Sequence, residues 1–324
     1  MFGNDYCRWS NSMQLKALRF FAKVAASGSF VATARHYRVP ASSVSRHIAA
    51  LEREIGQQLL FRHTRAVRLT DAGERYYQQV REALEQLDLA AEAAAGIDAP
   101  PSGVLRVNAP LALGRLHIAP LLIGFQQQHD ALTVELTLTD AFIDPVQEGA
   151  DLTVRVGRLN DSGLIARQLG EQRYLLCASP GYLSRHGEPR SPADLTAHNC
   201  LLYKGPRGAQ RWYFRRADRP AYEALDVSGN LRGNNAESLV AAAVADQGLV
   251  LFPSWLYSEQ ILRSGALRVV LADWQASVDA EPQGIHLLYP ENRLRSAKVR
   301  LLTDYLLEHI GQPPYWDRPV AVAV

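Results

Sequence analysis

The 324-residue sequence predicts an α/β protein in three parts: a small, mainly helical head, one long helix, and a body of two α/β lobes with a cleft between them. Three observations predict it. Up to Ile55 the apolar residues recur at helical spacing in three short blocks, broken at Gly28 and again at Arg38 to Pro40. From Tyr76 to Ala94 one period close to ~3.5 residues is sustained. From Val104 strands and helices alternate, and the alternation begins again near residue 172.

Residues 1–12 show no periodicity and are expected to lie outside the folded domain as a disordered leader. Leu15, Leu18, Phe21, Val24 and Ala25 predict a first helix ended by Gly28 and Ser29. Ser29 then caps a short helix over Phe30 to Tyr37. A tight turn leads to Pro40, well placed at the start of a third helix whose core stripe is Val44, Ile48, Leu51 and Ile55. Two short helices joined by a tight turn are a helix-turn-helix. The runs from Leu59 and from Ala66 predict a hairpin, or wing, that carries Arg62, Arg65 and Arg68. Thr70 is the candidate cap of the long helix, where Tyr76, Val80, Ala83, Leu87, Ala90 and Ala94 suit packing against a partner helix or an intramolecular face.

The segment GIDAPPSG, residues 96–103, is a hinge. In the body VLRVNAP (104–110), TVELTLTD (133–140) and DLTVRVG (151–157) predict strands. Arg115 to His129 and a short stretch around Pro145 to Gly149 predict helices. YLLCASP (174–180), a helix after it, VSGNLRGNN (227–235), the helix Ala236 to Asp246, GLVLFP (248–253), a helix after that, GIHLLYP (284–290) and the helix Ser296 to Ile310 complete the pattern. Strand–helix–strand alternation predicts mostly parallel sheets.

Composition narrows the function. The whole chain carries a formal charge of only +2, but residues 13–70 hold ten basic residues against Glu52 and Glu54 alone. A basic head on a near-neutral body is the footprint of a nucleic-acid module joined to something else. No apolar run reaches the ~18 residues of a membrane span. The start MFGNDYCRWSNS has no basic region followed by an apolar one, so the cytoplasm is the default location. Cys7, Cys177 and Cys200 form no CxxC pair, which argues against a zinc site or a disulfide framework. HExxH, GxSxG, GxxxxGK[ST] and a GxGxxG after a strand are all missing, and the nine histidines, His117, His129, His286 and His309 among them, do not cluster. An enzyme is not expected, nor any cofactor or metal. A solute-binding protein would share a two-lobed body but would have no use for a basic head.

Ser42, Ser43, Arg46 and His47 gather near the start of the third helix, away from its core stripe. Recognition helices use that end: backbone N–H groups and small hydroxyls meet phosphates, while longer side chains reach base edges. The candidate DNA-contacting set is Ser29, Ser42, Ser43, Ser45, Arg46, His47, Arg53, Arg62, Arg65 and Arg68.

SGSFVATARHYRVPASSVSRHIAALEREIGQQLLFRHTRAVRLTDAGERYY resembles the winged helix-turn-helix of LysR-type transcriptional regulators. PSGVLRVNAPLALGRLHIAPLL, DLTVRVGRLNDSGLIARQLG, LLCASPGYLSRHGEPRSPADLTAHNCLLY and GLVLFPSWL are most similar to the CrgA-like subgroup. The resemblance covers about residues 13–310. It implies a DNA-binding domain over 13–70, a linker and dimerisation helix over 71–95 and a hinge over 96–103. It further implies an effector-binding domain like periplasmic binding proteins over 104–311, with lobe I at about 104–171 and 281–311 and lobe II at about 172–280. The implied partners are double-stranded DNA, a small-molecule effector, further copies of the chain as dimer or tetramer, and RNA polymerase, with no membrane. Pro40-Ala41 departs from the Ser-Gln common in the family. Ala41 has no hydrogen-bonding side chain, so base reading shifts toward Ser42, Arg46 and His47, and the cap must be rearranged. The tail 312–324 lies outside the pattern.

Ligands of open α/β lobes lie at strand carboxyl ends. The candidate effector residues there are Asn108, Ala109, Asp140, Phe142, Arg155, Val156, Gly157, Asn234, Asn235, Phe252 and Pro253. Arg155 suits an anionic group, with an ion pair to Asp140 or Asp151 as the alternative. Asn235 suits either the ligand or a helix cap.

Overall fold

The structure is a computed structural model that describes residues 15–63, 66–94, 101–141, 150–159, 163–205, 208–216, 218–219, 221–291, 293 and 296–322. The expected leader 1–12 and most of the hinge therefore lie outside the described residues. The chain divides into two compact units, Met1–Ala99 and Pro100–Val324.

The first unit contains α1 (Leu15–Ser27), α2 (Phe30–His36), α3 (Ala41–Ile55), the antiparallel hairpin β1 (Leu60–His63) and β2 (Ala66–Leu69), and α4 (Asp71–Ala94). Its core is Phe20, Phe21, Val24, Val44, Ile48, Leu51, Leu59 and Leu60, closed by Val80 and Leu84 of α4. The buried stripe of α1 runs through Ala17, Phe20, Phe21 and Val24, while Leu15 is exposed. Two apolar stripes compete on that helix, and the core takes the one with both aromatic rings. Pro40 caps α3 without a side-chain hydrogen bond, its carbonyl accepting from Ser43 N at 3.0 Å. Gly56, in the left-handed region at φ 73°, ends α3.

Two details tie the hairpin down. Glu52 Oε1 accepts from Leu59 N at 2.9 Å and Leu60 N at 3.1 Å, pinning the chain as it leaves α3. Thr70 Oγ1 accepts from Gly73 N at 2.9 Å, the capping bond that the sequence predicts, and donates to Gln58 O at 2.7 Å. A side chain on Gly73 would place its Cβ 2.0 Å from Leu59 O, so only glycine permits this approach.

The second unit holds two main sheets. The first is built from β3 (Gly103–Ala109), β4 (Leu132–Leu138), β5 (Leu152–Gly157) and β6 (Leu164–Glu171), with a late strand inserted between β5 and β6. Between β3 and β4 runs one helical segment: α5 (Leu111–Leu113), a π turn over Gly114–Ile118, and α6 (Ala119–Gln128). The helix therefore starts four residues before the Arg115 that the sequence marks. The π turn has a cause in Pro120, which lacks the N–H that an uninterrupted α-helix would offer to Leu116 O. The expected helix around Pro145 to Gly149 falls outside the described residues.

The other lobe comprises β7 (Tyr174–Ala178), α7 (Pro180–His186), β8 (Leu202–Gly205), β9 (Gly208–Ala209), β10 (Trp212–Arg216), β11 (Glu223–Leu225), β12 (Arg232–Gly233), α8 (Ala236–Val244), β13 (Val250–Pro253), α9 (Glu259–Arg263), β14 (Arg268–Val269) and β15 (Trp274–Ser277). The chain then returns to the first sheet as β16 (Gly284–Pro290) and covers it with α10 (Ala297–Ile310).

The prediction of mostly parallel sheets needs correction. In lobe I β3 is parallel to β4 and β5, but β16 is antiparallel to β5 and β6. In lobe II every pairing of the sheet β11-β10-β15-β7-β13 is antiparallel, and β14 adds antiparallel to β7. Outside lobe I, parallel pairing is found between β8 and β12 and at the Cys200–Leu249 bridge. Strand alternation in sequence does not say which neighbour a returning strand takes. The expected strand 227–235 likewise shrinks to Arg232–Gly233.

One core joins lobe I to the near face of the lobe II sheet, and a second fills the far face. β7 shows why both are needed: Leu175 and Cys177 enter one core, Leu176 and Ala178 the other. Cys177 and Cys200 are buried free thiols, and burial pushes each up to about 12. No described helix is long and apolar enough to cross a membrane.

Candidate DNA-binding surface and effector cavity

On the first unit, Ser42, Arg46 and Arg53 are exposed on the face of α3 opposite Val44, Ile48 and Leu51. Arg53 Nε donates to Ala49 O at 3.3 Å, which lays its guanidinium along the helix. Ser43 and Ser45 are half-buried at the flanks. His47 does not stand on the open face. Its ring packs edge-on against the buried Phe20 at 5.3 Å, and its Nδ1 lies 2.7 Å from Ser43 O. A carbonyl only accepts, so Nδ1 carries the hydrogen. The helical wheel explains the correction: His47 precedes Ile48 by one residue and sits beside the core stripe, not across from it.

Ser29 is engaged as the cap of α2, its Oγ accepting from Ala32 N at 3.2 Å. Arg68 is exposed on β2. Arg62 lies on β1, its side chain among those not described, and Arg65 is outside the described residues.

On the second unit, a cavity of about 750 Å³ opens at the carboxyl ends of β3 and β5. Asn108, Ala109, Asp140, Arg155, Val156 and Gly157 line it as the strand-end rule expects. Thr139, Thr153, Arg158, Asp279 and Gln283 line it too, and the sequence did not mark them. Thr139 and Arg158 adjoin marked positions. Asp279 and Gln283 come from the segment that crosses back between lobes, which no strand-end rule reaches.

Both aspartates named as alternative partners of Arg155 also hold other parts of the fold. Asp151 is buried, pairs with Arg293 at 2.7 Å and accepts from Arg106 N at 2.8 Å. Asp140 Oδ1 accepts from Leu111 N at 2.9 Å, fixing the start of α5 at the cavity edge. Asp279 accepts from Gln283 Nε2 at 3.0 Å, and Arg158 pairs with Glu281 at 2.9 Å. Across the cleft, burial and then the Asp140 carboxylate push the Tyr203 phenol of β8 upward.

Four expected residues are not in this cavity, and a fifth lies outside the described residues. Asn235 caps α8, its Oδ1 accepting from Ser238 N at 2.8 Å and Ser238 Oγ at 2.9 Å, and Asn234 is exposed beside it. Phe252 and Pro253 are buried in β13, which is covered on both faces and runs into a 3-10 turn over Ser254–Leu256. Phe142 lies outside the described residues. Among the described residues no group of three His, Cys, Asp or Glu could hold a metal ion.

A basic winged helix-turn-helix and a two-lobed body with a polar cavity at the strand ends of lobe I define a ligand-responsive transcriptional regulator. Comparison with known proteins agrees. Residues 15–74 match the bacterial regulatory helix-turn-helix protein, lysR family, and residues 98–311 match the LysR substrate binding domain. The chain is 35% identical over 297 residues to the uncharacterized HTH-type transcriptional regulator YhjC of Escherichia coli K12, covering 90% of this chain and 96% of that one. The full-length structure of the Vibrio cholerae virulence activator AphB aligns at 30% identity with a TM-score of 0.56, over 91% of this chain and 99% of that one. CrgA of Neisseria meningitidis aligns at 28% identity with a TM-score of 0.54, over 91% and 99%. The chain belongs to the LysR family of transcriptional regulators, and is CrgA-like within it. Its members bind DNA and small-molecule effectors, assemble as oligomers and are not enzymes.

Proposed function

We propose that Ser42, Arg46 and Arg53 of α3, with Arg62, Arg65 and Arg68 of the wing, form the DNA-reading surface, and that Ser29, Ser43, Ser45 and His47 support it. The single observation behind this reading is the exposure of Arg46 directly across α3 from its buried stripe. Arg46 reaches guanine O6 and N7 in the major groove, while the wing arginines neutralise phosphates.

The effector occupies the cavity at the ends of β3 and β5, with Arg155 facing an anionic group and Asn108, Thr139 and Thr153 offering hydrogen bonds. Residues 13–70 read DNA, 71–95 pair two chains, 96–103 form the hinge and 104–311 sense the ligand. Pairs of such dimers form the tetramer. An effector that binds one lobe arrangement better than another shifts the angle between DNA-binding heads by no more than its differential affinity. The protein acts in the cytoplasm, beside RNA polymerase at the promoter it controls.

The test is fluorescence anisotropy at ~0.15 M salt, comparing the duplex just upstream of the coding sequence with a scrambled duplex. Tight binding to the first alone, falling steeply as salt rises, supports the reading. Failure to bind any duplex overturns it.

A further inference from the structure

The C-terminal segment past α10 does more than follow the last helix. Its 3-10 turn, Tyr315–Val322, packs on the Ser254–Leu256 turn of lobe II, and its Tyr315 and Trp316 meet His117 of lobe I. The junction centres on His117, in the π turn of lobe I. Its Nε2 lies 2.8 Å from Trp255 O in lobe II, and its Nδ1 lies 2.7 Å from Tyr315 Oη. The Trp255 carbonyl can only accept, so Nε2 carries the hydrogen and donates to it, while Nδ1 accepts from the Tyr315 hydroxyl. One imidazole thus bridges lobe I, lobe II and the tail.

The indole of Trp316 packs on the same ring at 4.7 Å and is itself 7% exposed. Pro314 presses on Gly170 of β6, so closely that a Cβ there would come within 2.5 Å of the proline ring. Trp255 Nε1 donates to Gln172 Oε1 at 2.9 Å, which carries the junction to the segment where the chain crosses between lobes. Beside it Gln172 N donates to Gln283 O at 2.9 Å, tying the two crossing segments together. Burial pushes the Asp317 carboxyl upward, with the Ser254 hydroxyl and Arg173 acting against it.

We propose that residues 312–318 are a latch that holds the two lobes in one relative arrangement, through the contact of Tyr315 and Trp316 with His117. A rotation of the lobes about their crossing segments separates His117 from Trp255, and the tail resists it by packing on both. The latch is placed to act on the cavity: His117 lies on the helical segment that begins just after Pro110, a cavity-lining residue. Releasing the tail therefore loosens the wall that a ligand meets.

Hydrogen–deuterium exchange on the full-length chain tests this, against a chain ended after Gly311 and against Tyr315→Phe, which keeps the ring and removes only the donor. The latch predicts that amides at 114–119, 170–173 and 254–257 exchange roughly five- to tenfold faster in the truncated chain, and that Tyr315→Phe moves the same three segments by less. The far core of lobe II stays protected in both. Acceleration confined to 297–311 means that the tail only closes the end of α10 and overturns the proposal, as does no change in either variant. Uniform acceleration throughout the truncated body means lost folding, and Tyr315→Phe then decides the matter. That variant should accelerate the three segments with an unaltered circular dichroism spectrum, and no acceleration in it counts against the latch. The test uses no DNA, so its outcome is independent of the DNA-binding reading.

Discussion

Arg293 Nη2 stands 2.7 Å from Asp151 Oδ1, with side chains 8% and 1% exposed. The pair joins the segment after β16 to the start of β5, and Asp151 also receives Arg106 N from β3. Removing one member of such a pair strands the other charge in a place where water cannot reach it. Arg293→Met should therefore destabilise the body by ~3–5 kcal/mol. Urea unfolding followed by tryptophan fluorescence reads it, since Trp212, Trp255, Trp274 and Trp316 all lie in the body. Adding Asp151→Asn keeps an acceptor for Arg106 N and removes the stranded charge, so the double variant should recover part of the loss. Equal instability of single and double variants would show that Arg293 acts through packing.

Arg46→Ala should relax base preference at one position of each half-site, a loss of ~1–3 kcal/mol in discrimination. Competition binding with single-base operator variants measures it. Uniform weakening on every sequence would make Arg46 a phosphate contact.

Leu87 is 51% exposed on α4, with Ala83 and Ala90 also exposed, while Val80 and Leu84 point into the head. The helix therefore carries two apolar stripes, one used within the unit and one exposed, which the proposed pairing of two chains would cover. A buried leucine contributes ~1.5–3 kcal/mol, so Leu87→Glu should weaken self-association at least about tenfold in sedimentation velocity. An unchanged profile would place the pairing face elsewhere.

The pH dependence follows from His117. Burial holds its imidazole below the ordinary 6.5, the hydrogen bond to Trp255 acting the other way. As pH falls through about 6.5 the unfolded chain takes up a proton that the folded ring resists. Stability is lost on acidification, and the loss levels off once the pH passes the folded value. His198 and His286 shift in the same direction by burial. Asp317, shifted upward, has the opposite sign and a lower window. Urea midpoints at pH 7.5 and 5.5 should thus fall further in the wild type than in His117→Gln, which retains the other three groups. Parallel falls in both would exclude His117 as the cause.

The head is legible in the sequence because its logic is local. Thr70 caps where a cap is written, Val44, Ile48 and Leu51 are buried, and Gly73 stands where Leu59 O leaves room only for glycine. The sequence misplaces His47 because a side chain beside the core stripe can turn either way, and Phe20 decides it. In the body, strand-end positions find about half of the cavity wall. Asp279 and Gln283 stay hidden because the crossing segment is brought there by the return of the chain, as much as 175 residues beyond Asn108.

By itself, then, the sequence determined most of the helices, about half of the strands and the basic reading head, since periodicity, caps and charge act over a few residues. The tertiary structure decided which strands pair and in which direction, which aspartate takes Arg293, and that the tail returns to His117. Those outcomes depend on contacts between segments far apart in the chain, where several partners satisfy the same local pattern and only packing selects among them.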